Sequence, residues 1–298
     1  MSDKDSISGT IPTVPFQRTI TLEPRSSRAE ITVYANFTPP QDPSHTTLLL
    51  LHGNSSHSRI FAPLLSTLHS PLPCSLLLLD LPGHGASTNS PDPTTYTMPG
   101  YACDVLDVLN HPGIHVQNLI IFGWSLGGHI AIELIPLLGP RLKGLMLVGT
   151  PPALGAEQTV RAFTRGNPHM AAAGKAELTE EEIQAYGHET CGPPRREWLV
   201  DAVRRTDGRA RATMFDAFNA GRGIDQRKAV AEWTGLTAVV NGGEEPFVDL
   251  GYLDGCAWGN LWGGKCHRME RLGHAPFWED PERFVPYLVG FVEDCLKD

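Results

Sequence analysis

A chain of 298 residues is long enough to bury a large core without a metal or disulfide staple, and 41% hydrophobic against 19% charged residues excludes a disordered polymer. With 33 acidic residues against 24 basic ones, and a formal net charge of −9, it is poorly suited to nucleic acid or an anionic membrane surface. No apolar run approaches the ~18 residues of a spanning helix, and the polar start, Met1 to Thr10, is not expected to be a signal peptide. Six cysteines scattered singly, with no Cys-x-x-Cys pair, point to idle thiols in a reducing, cytoplasmic compartment.

In chain order, residues 1–17 are expected as a flexible arm. Two alternating segments, Arg18 to Glu23 and Glu30 to Phe37, read as an edge β-hairpin. After a Pro-rich loop (Pro39, Pro40, Pro43), apolar runs of the buried parallel-strand type recur at Thr47–Leu51, Ser75–Leu79, Leu119–Gly123, Gly144–Val148 and Leu236–Val240. Helical patterns separate them at Ser58–His69, Met98–Leu109 and Leu126–Leu138, which predicts a mostly parallel sheet wrapped by crossover helices. Residues 152–234 break the rhythm with helical patterns near Glu180–Tyr186, Arg196–Arg204 and Ala210–Phe218 and no convincing strand. They are expected as a helical cap inserted into a core made of 18–151 and 235–298. The cap is charge-balanced, so the core carries the whole negative excess, and a neutral amphiphile suits the cap better than an anionic substrate.

The sharpest chemical signal is Gly123-Trp124-Ser125-Leu126-Gly127-Gly128, lying between an apolar strand and an amphipathic helix. Gly-x-Ser-x-Gly in that context is a nucleophile elbow: the turn is so tight that only small residues fit beside a serine pushed out above the sheet. A serine nucleophile needs a base. Among twelve histidines, His274 stands in a glycine-flanked turn (Leu272-Gly273-His274-Ala275-Pro276-Phe277) after a strand-like Lys265–Glu270 and before the last helix. The orienting carboxylate is expected after the strand at Leu236–Val240. Of the adjacent Glu244 and Glu245, the latter is preferred because it precedes Pro246, as the acid does in a Gly-x-x-Asp-Pro turn. Oxyanion donors are expected from the backbone N–H of Leu126 and of Asn54, the latter in the loop His52-Gly53-Asn54-Ser55-Ser56. His52 reads as a brace for its loop, and the segment Asp80-Leu81-Pro82-Gly83-His84-Gly85 reads as a tight structural turn. Phe163, Met170, Tyr186, Met214 and Phe215 are candidates for lining an acyl tunnel, and Trp124 is balanced between pocket and core. No His-x-His, His-Glu-x-x-His, dinucleotide or Walker-type pattern occurs, so neither a metal nor a cofactor is expected.

These blocks resemble the α/β-hydrolase fold family, with Ser125, Glu245 and His274 in its chain order. Within it the chain is similar to the bacterial α/β-hydrolase N-acyl-homoserine lactonases. The similarity runs from about Thr47 to Phe284 and includes three less generic blocks: Arg205-Thr206-Asp207-Gly208-Arg209-Ala210-Arg211, Glu245-Pro246-Phe247-Val248 and Gly259-Asn260-Leu261-Trp262. The resemblance implies a glutamate as the triad acid, a substrate-binding tyrosine at Tyr186 ahead of Thr190-Cys191-Gly192, and a quorum-quenching lactonase activity on a small lactone or ester. Trp124, next to the nucleophile, is the second candidate for substrate contact. The N-terminal arm and the Pro-rich loop depart from the bacterial pattern, and the oligomeric state is not legible. Two other functions fit the same residues: a general carboxylesterase or C–C bond hydrolase with this triad, and a non-catalytic small-molecule receptor on the same scaffold.

Overall fold

A computed structural model describes residues 16–23, 30–38, 46–114, 116–164 and 167–297. The apolar runs form one eight-stranded sheet of β1 (Phe16–Leu22), β2 (Ile31–Phe37), β3 (Thr46–Leu51), β4 (Ser75–Leu79), β5 (Asn118–Trp124), β6 (Leu142–Val148), β7 (Leu236–Gly242) and β8 (His267–Met269). Their spatial order is β1-β2-β4-β3-β5-β6-β7-β8. The β1–β2 hairpin takes one edge and joins β4 antiparallel, and all later pairings are parallel. Every residue of β3 is buried, because helices cover both faces: Leu49 and Leu51 enter one apolar cluster, Leu48 and Leu50 the other.

The helices before β6 are α1 (Ala62–Ser66), α2 (Met98–Asn110), α3 (Leu126–Glu133) and α4 (Ile135–Leu138). Between β6 and β7 lie α5 (Gly155–Ala162), α6 (Glu180–Glu189), α7 (Glu197–Arg205), α8 (Gly208–Asn219) and α9 (Gln226–Glu232). The chain closes with α10 (Leu250–Asp254), α11 (Pro276–Glu279) and α12 (Pro281–Cys295). One apolar cluster joins the sheet to α2 and α3 through Tyr101, Val105 and Ile130, and the other joins it to α1, α11 and α12 through Leu64, Phe277, Phe284 and Phe291.

Several elements differ from their sequence pattern. The helix expected over Ser58–His69 is a 3₁₀ turn at Ser58–Phe61 followed by α1, which ends at Ser66. The one expected over Leu126–Leu138 divides into α3 and α4, because Pro136 has no N–H with which to continue the ladder. The strand-like Lys265–Glu270 shortens to three residues, and α5 and α9 were not legible as periodic segments. Val230 of α9 enters the same cluster as α2 and α3, so this last helix of 152–234 packs into the layer beside the sheet. The expected arm over 1–17 and the loop at Pro39, Pro40 and Pro43 lie outside the described residues, apart from Phe16 and Gln17, which open β1. Among the described residues, no helix is long and apolar enough to cross a membrane, and all six cysteines are free thiols.

This strand order places the functional loops. The chain leaves β3 toward β4 on one side and leaves β5 toward β6 on the other, which opens a crevice at the carboxyl ends of β3 and β5. Leu51 pairs with Gly123, so the loop after β3 and the turn after β5 emerge side by side. The loop after β4 braces its neighbours. Asp80 accepts from the backbone N–H of Ser58 and of Ala86, each at 2.8 Å, and His52 Nε2 accepts from Leu81 N–H at 2.9 Å. Removing the buried Asp80 carboxylate leaves two backbone donors unpaired. Asp80→Ala is therefore expected to lower the unfolding free energy by about 3 kcal/mol, and Asp80→Asn, which keeps one acceptor, by about half that. Denaturant midpoints of the three proteins check the ranking.

Candidate active site

Ser125 sits between β5 and α3 with φ 52° and ψ −116°, a left-handed conformation that a non-glycine residue adopts only under constraint. The constraint comes from close packing on both sides of the turn. A Cβ at Gly127 would lie 2.1 Å from the Leu51 carbonyl oxygen, and one at Gly128 would lie 2.1 Å from Thr150 Oγ1. Thr150 Oγ1 in turn donates to the Ser125 carbonyl at 2.9 Å, and Ser125 N–H donates to Val148 O at 2.8 Å. The glycines thus let two neighbouring strands grip the turn, and Leu126, the first residue of α3, has no acceptor for its N–H within the helix.

His274 lies in the loop between β8 and α11. Its Nδ1 is 2.8 and 2.9 Å from the two carboxylate oxygens of Glu245, whose side chain is 1% exposed. Glu245 also accepts from Phe247 N–H at 2.9 Å. Glu244 is exposed and spends its backbone N–H on Leu272 O, so of the two adjacent glutamates it is Glu245 that reaches the imidazole. Three further residues support His274. Glu279 accepts from Gly273 N–H at 2.9 and 3.0 Å and from Ala275 N–H at 3.3 Å, clamping the residues on either side of the histidine. Burial, with the nearby Glu245 charge, raises its carboxyl above the usual range. Gly149, at φ +61°, leaves the space the ring occupies: a Cβ there would stand 2.4 Å from His274 Cε1. Trp124 is fully buried and donates its indole N–H to the His274 carbonyl at 3.0 Å, with its six-membered ring against Gly53. It both lines the cavity and wedges the histidine loop, which its place in the sequence left open.

Ser125 and His274 open onto one cavity. Asn54, Leu126, Trp124 and Tyr186 also line it. So do all five residues singled out for an acyl tunnel; Phe163, Met170, Met214 and Phe215 make its wall largely apolar. The loop after β3 is tied to the inserted helices: Asn54 Nδ2 donates to Ala173 O at 2.9 Å. The guanidinium of Arg211, from the discriminating insertion block, donates to Lys175 O at 2.8 Å, Ala176 O at 3.2 Å and Ser55 Oγ at 3.4 Å. Arg211 is buried, and desolvation lowers its pKa. Burial pushes the Tyr186 phenol up to about 12, so it faces the cavity as a neutral donor and acceptor. Among the described residues, no group of three or more His, Cys, Asp or Glu side chains is arranged to hold a metal ion.

The chain belongs to the alpha/beta hydrolase family, whose model matches residues 48–286. It is similar to the N-acyl homoserine lactonase AidH in complex with N-butanoyl homoserine: 42% identity, a TM-score of 0.83, and coverage of 94% of this chain and 98% of that one. A mutant of AidH in complex with N-hexanoyl homoserine lactone superposes at 41% identity and a TM-score of 0.82, over 94% of this chain and 99% of that one. More remote is the 2-succinyl-6-hydroxy-2,4-cyclohexadiene-1-carboxylate synthase of Salmonella heidelberg, 29% identical over 197 residues, 64% of this chain and 74% of that protein. A pimeloyl-[acyl-carrier protein] methyl ester esterase of Xylella fastidiosa is 33% identical over 105 residues, 35% of this chain and 36% of that protein.

Burial of imidazoles around this site makes stability depend on pH. His129 lines the cavity from the second turn of α3, and desolvation holds it neutral down to about 4. In the unfolded chain it titrates near 6.5. Between those values the unfolded state binds a proton that the folded state refuses, so stability is lost as pH falls from 6.5 toward 4. For this ring alone the loss between pH 7 and pH 5 is about 2 kcal/mol. His52 and His84, both lowered by burial, act in the same direction, and the raised carboxyls of Glu133 and Glu279 oppose it. Denaturant midpoints at pH 7 and pH 5 are expected to fall with pH, and less steeply in His129→Phe. An equal slope in the two proteins would refute this account.

Proposed function

We propose that this protein is a serine hydrolase that opens the ring of N-acyl-homoserine lactones or closely similar lactones, with Ser125 as nucleophile, His274 as acid–base and Glu245 as orienting carboxylate. The observation that carries the reading is a serine on a strained strand-to-helix turn sharing an apolar cavity with a histidine whose Nδ1 is held by a buried glutamate. Its similarity to AidH over nearly the whole of both chains supports lactones among the esters this chemistry serves.

In this mechanism His274 takes the Ser125 proton through Nε2 as the hydroxyl attacks the lactone carbonyl. Glu245 keeps the other proton on Nδ1 and stabilises the imidazolium that forms. The N–H groups of Asn54 and Leu126 receive the oxyanion, each worth roughly 3 kcal/mol. His274 then protonates the ring oxygen, which leaves as an alcohol still tethered to the acyl group. Because that alcohol can attack again, water activated by the same imidazole must reach the acyl-enzyme before the ring re-closes. The apolar wall holds the acyl chain, and Tyr186 contacts the polar end of the substrate. The inserted helices over 152–234 act as the lid that closes this wall over the site.

The reading is tested by comparing kcat/KM for a homoserine lactone, a p-nitrophenyl ester and a vinylogous diketone, with Ser125→Ala as the blank. Lactone turnover is expected to exceed the other two and to fall by at least ~10⁴-fold in Ser125→Ala. Ester turnover equal to or above that of the lactone would favour a general esterase. No difference between wild type and Ser125→Ala would favour a receptor. A second expectation concerns position alone: Gly149→Ala forces the His274 ring aside, so kcat should drop by roughly 100-fold with KM little changed. Steady-state kinetics beside a thermal melt separates that displacement from unfolding.

A further inference from the structure

One polar group in the cavity has no part in the chemistry above. His129 stands one helical turn after Ser125, and its N–H donates to the Ser125 carbonyl at 3.2 Å. Its ring packs against Phe218, with centroids 4.8 Å apart, in the largely apolar wall. Nδ1 lies 2.8 Å from Oε1 of Gln226, a fully buried residue of α9. The amide of Gln226 is itself oriented. Its Nε2 donates to the His129 carbonyl, which can only accept, and to Glu133 Oε1, each at 3.4 Å. Glu133 also accepts from Ile224 N–H, which holds the carboxylate in that place. Oε1 is therefore the atom facing His129, so Nδ1 must carry the hydrogen. In a neutral imidazole this leaves a lone pair on Nε2. Among the described residues, no hydrogen bond to Nε2 is found, and His129 borders the cavity. A fixed acceptor in an apolar wall is costly when unpaired and selective when a ligand supplies its donor.

We propose that His129 Nε2 reads the substrate by accepting a hydrogen bond from a neutral N–H or O–H donor within a few atoms of the scissile carbonyl. The proposal rests on the lactone reading and deepens it. In an N-acyl-homoserine lactone the donor is the amide N–H, or the hydroxyl of a 3-hydroxyacyl chain. A charged ammonium is not called for, because no carboxylate faces the cavity beside Nε2 among its described lining residues.

Two substrate pairs separate the sources. The first is N-octanoyl-homoserine lactone and its analogue with CH₂ in place of the amide N–H. The second is N-(3-hydroxyoctanoyl)-homoserine lactone and the unsubstituted octanoyl compound. In wild type, kcat/KM for the donor-bearing member of one pair is expected to exceed its mate by about tenfold, the size of one net hydrogen bond. In His129→Phe, which keeps the packing on Phe218 and removes the acceptor, that ratio should shrink to within twofold. His129→Leu should do the same, so a folding defect in one variant does not remove the test. Ratios near one in wild type for both pairs, or ratios unchanged by both variants, would overturn the proposal. If wild type opens none of these lactones, the lactone reading fails by itself. Calorimetric Kd values for the same pairs on Ser125→Ala, with and without His129→Phe, then decide the acceptor separately: a tenfold difference lost with His129 upholds it, and no difference overturns it.

Discussion

The backbone of Ser125 is the constraint on which the rest of the site depends. Its φ of 52° costs of order 1–3 kcal/mol for a non-glycine residue, and neighbours on two strands hold it there. The Leu51 carbonyl blocks any side chain at Gly127, Thr150 blocks one at Gly128, and Thr150 also accepts the task of bonding the Ser125 carbonyl. Those neighbours come from β3 and from the end of β6, the strands flanking β5. The parallel sheet is therefore the clamp for the turn as well as the floor of the cavity.

A second tier of order surrounds His274. Glu245 fixes Nδ1, Glu279 binds the N–H groups on either side, Trp124 binds the carbonyl, and Gly149 leaves room for the ring. The histidine is therefore held through its ring, its carbonyl and the N–H groups of its two neighbours. Burial holds Glu279 above its ordinary range and the Glu245 charge adds to the effect, while Glu245 keeps the imidazole contact. The arrangement gives positional accuracy at the expense of electrostatic comfort, a common signature of sites that do chemistry.

The inserted helices are joined to this machinery by polar contacts as well as apolar packing. Asn54 reaches Ala173, and the buried Arg211 spans Lys175, Ala176 and Ser55, so movement of the insertion would be felt in the loop after β3. Gln226 of α9 sets the orientation of His129 on α3 in a similar way. The wall facing the substrate is thereby apolar in composition yet carries a few polar atoms whose donor and acceptor roles are decided by partners behind it.

Much of this was legible in the sequence because it depends on short-range chemistry. Gly-x-Ser-x-Gly between an apolar run and an amphipathic segment specifies a turn that few other residues tolerate, and buried parallel strands need continuous apolar stretches. The place of Glu245 before Pro246 was also legible, although which of two adjacent carboxylates meets His274 was settled only by the fold, which leaves Glu244 in solvent. Glu279 and the Gln226–His129 pair had no local signature, and the sequence around Gly149 and Arg211 did not show what those residues touch. Their significance comes from contacts between residues as far as 156 positions apart, as between Arg211 and Ser55, and no periodicity records such a distance. α9 was missed for a related reason: seven residues are too few for a clear apolar stripe, and packing against α3 makes it a helix. The sequence by itself determined the sheet, the elbow and the order of serine, glutamate and histidine, because local sterics and hydrophobic burial act on neighbouring residues. Only the tertiary structure decided which polar atoms face the cavity and in what state, because burial and partner geometry set those, and both exist only once distant segments meet.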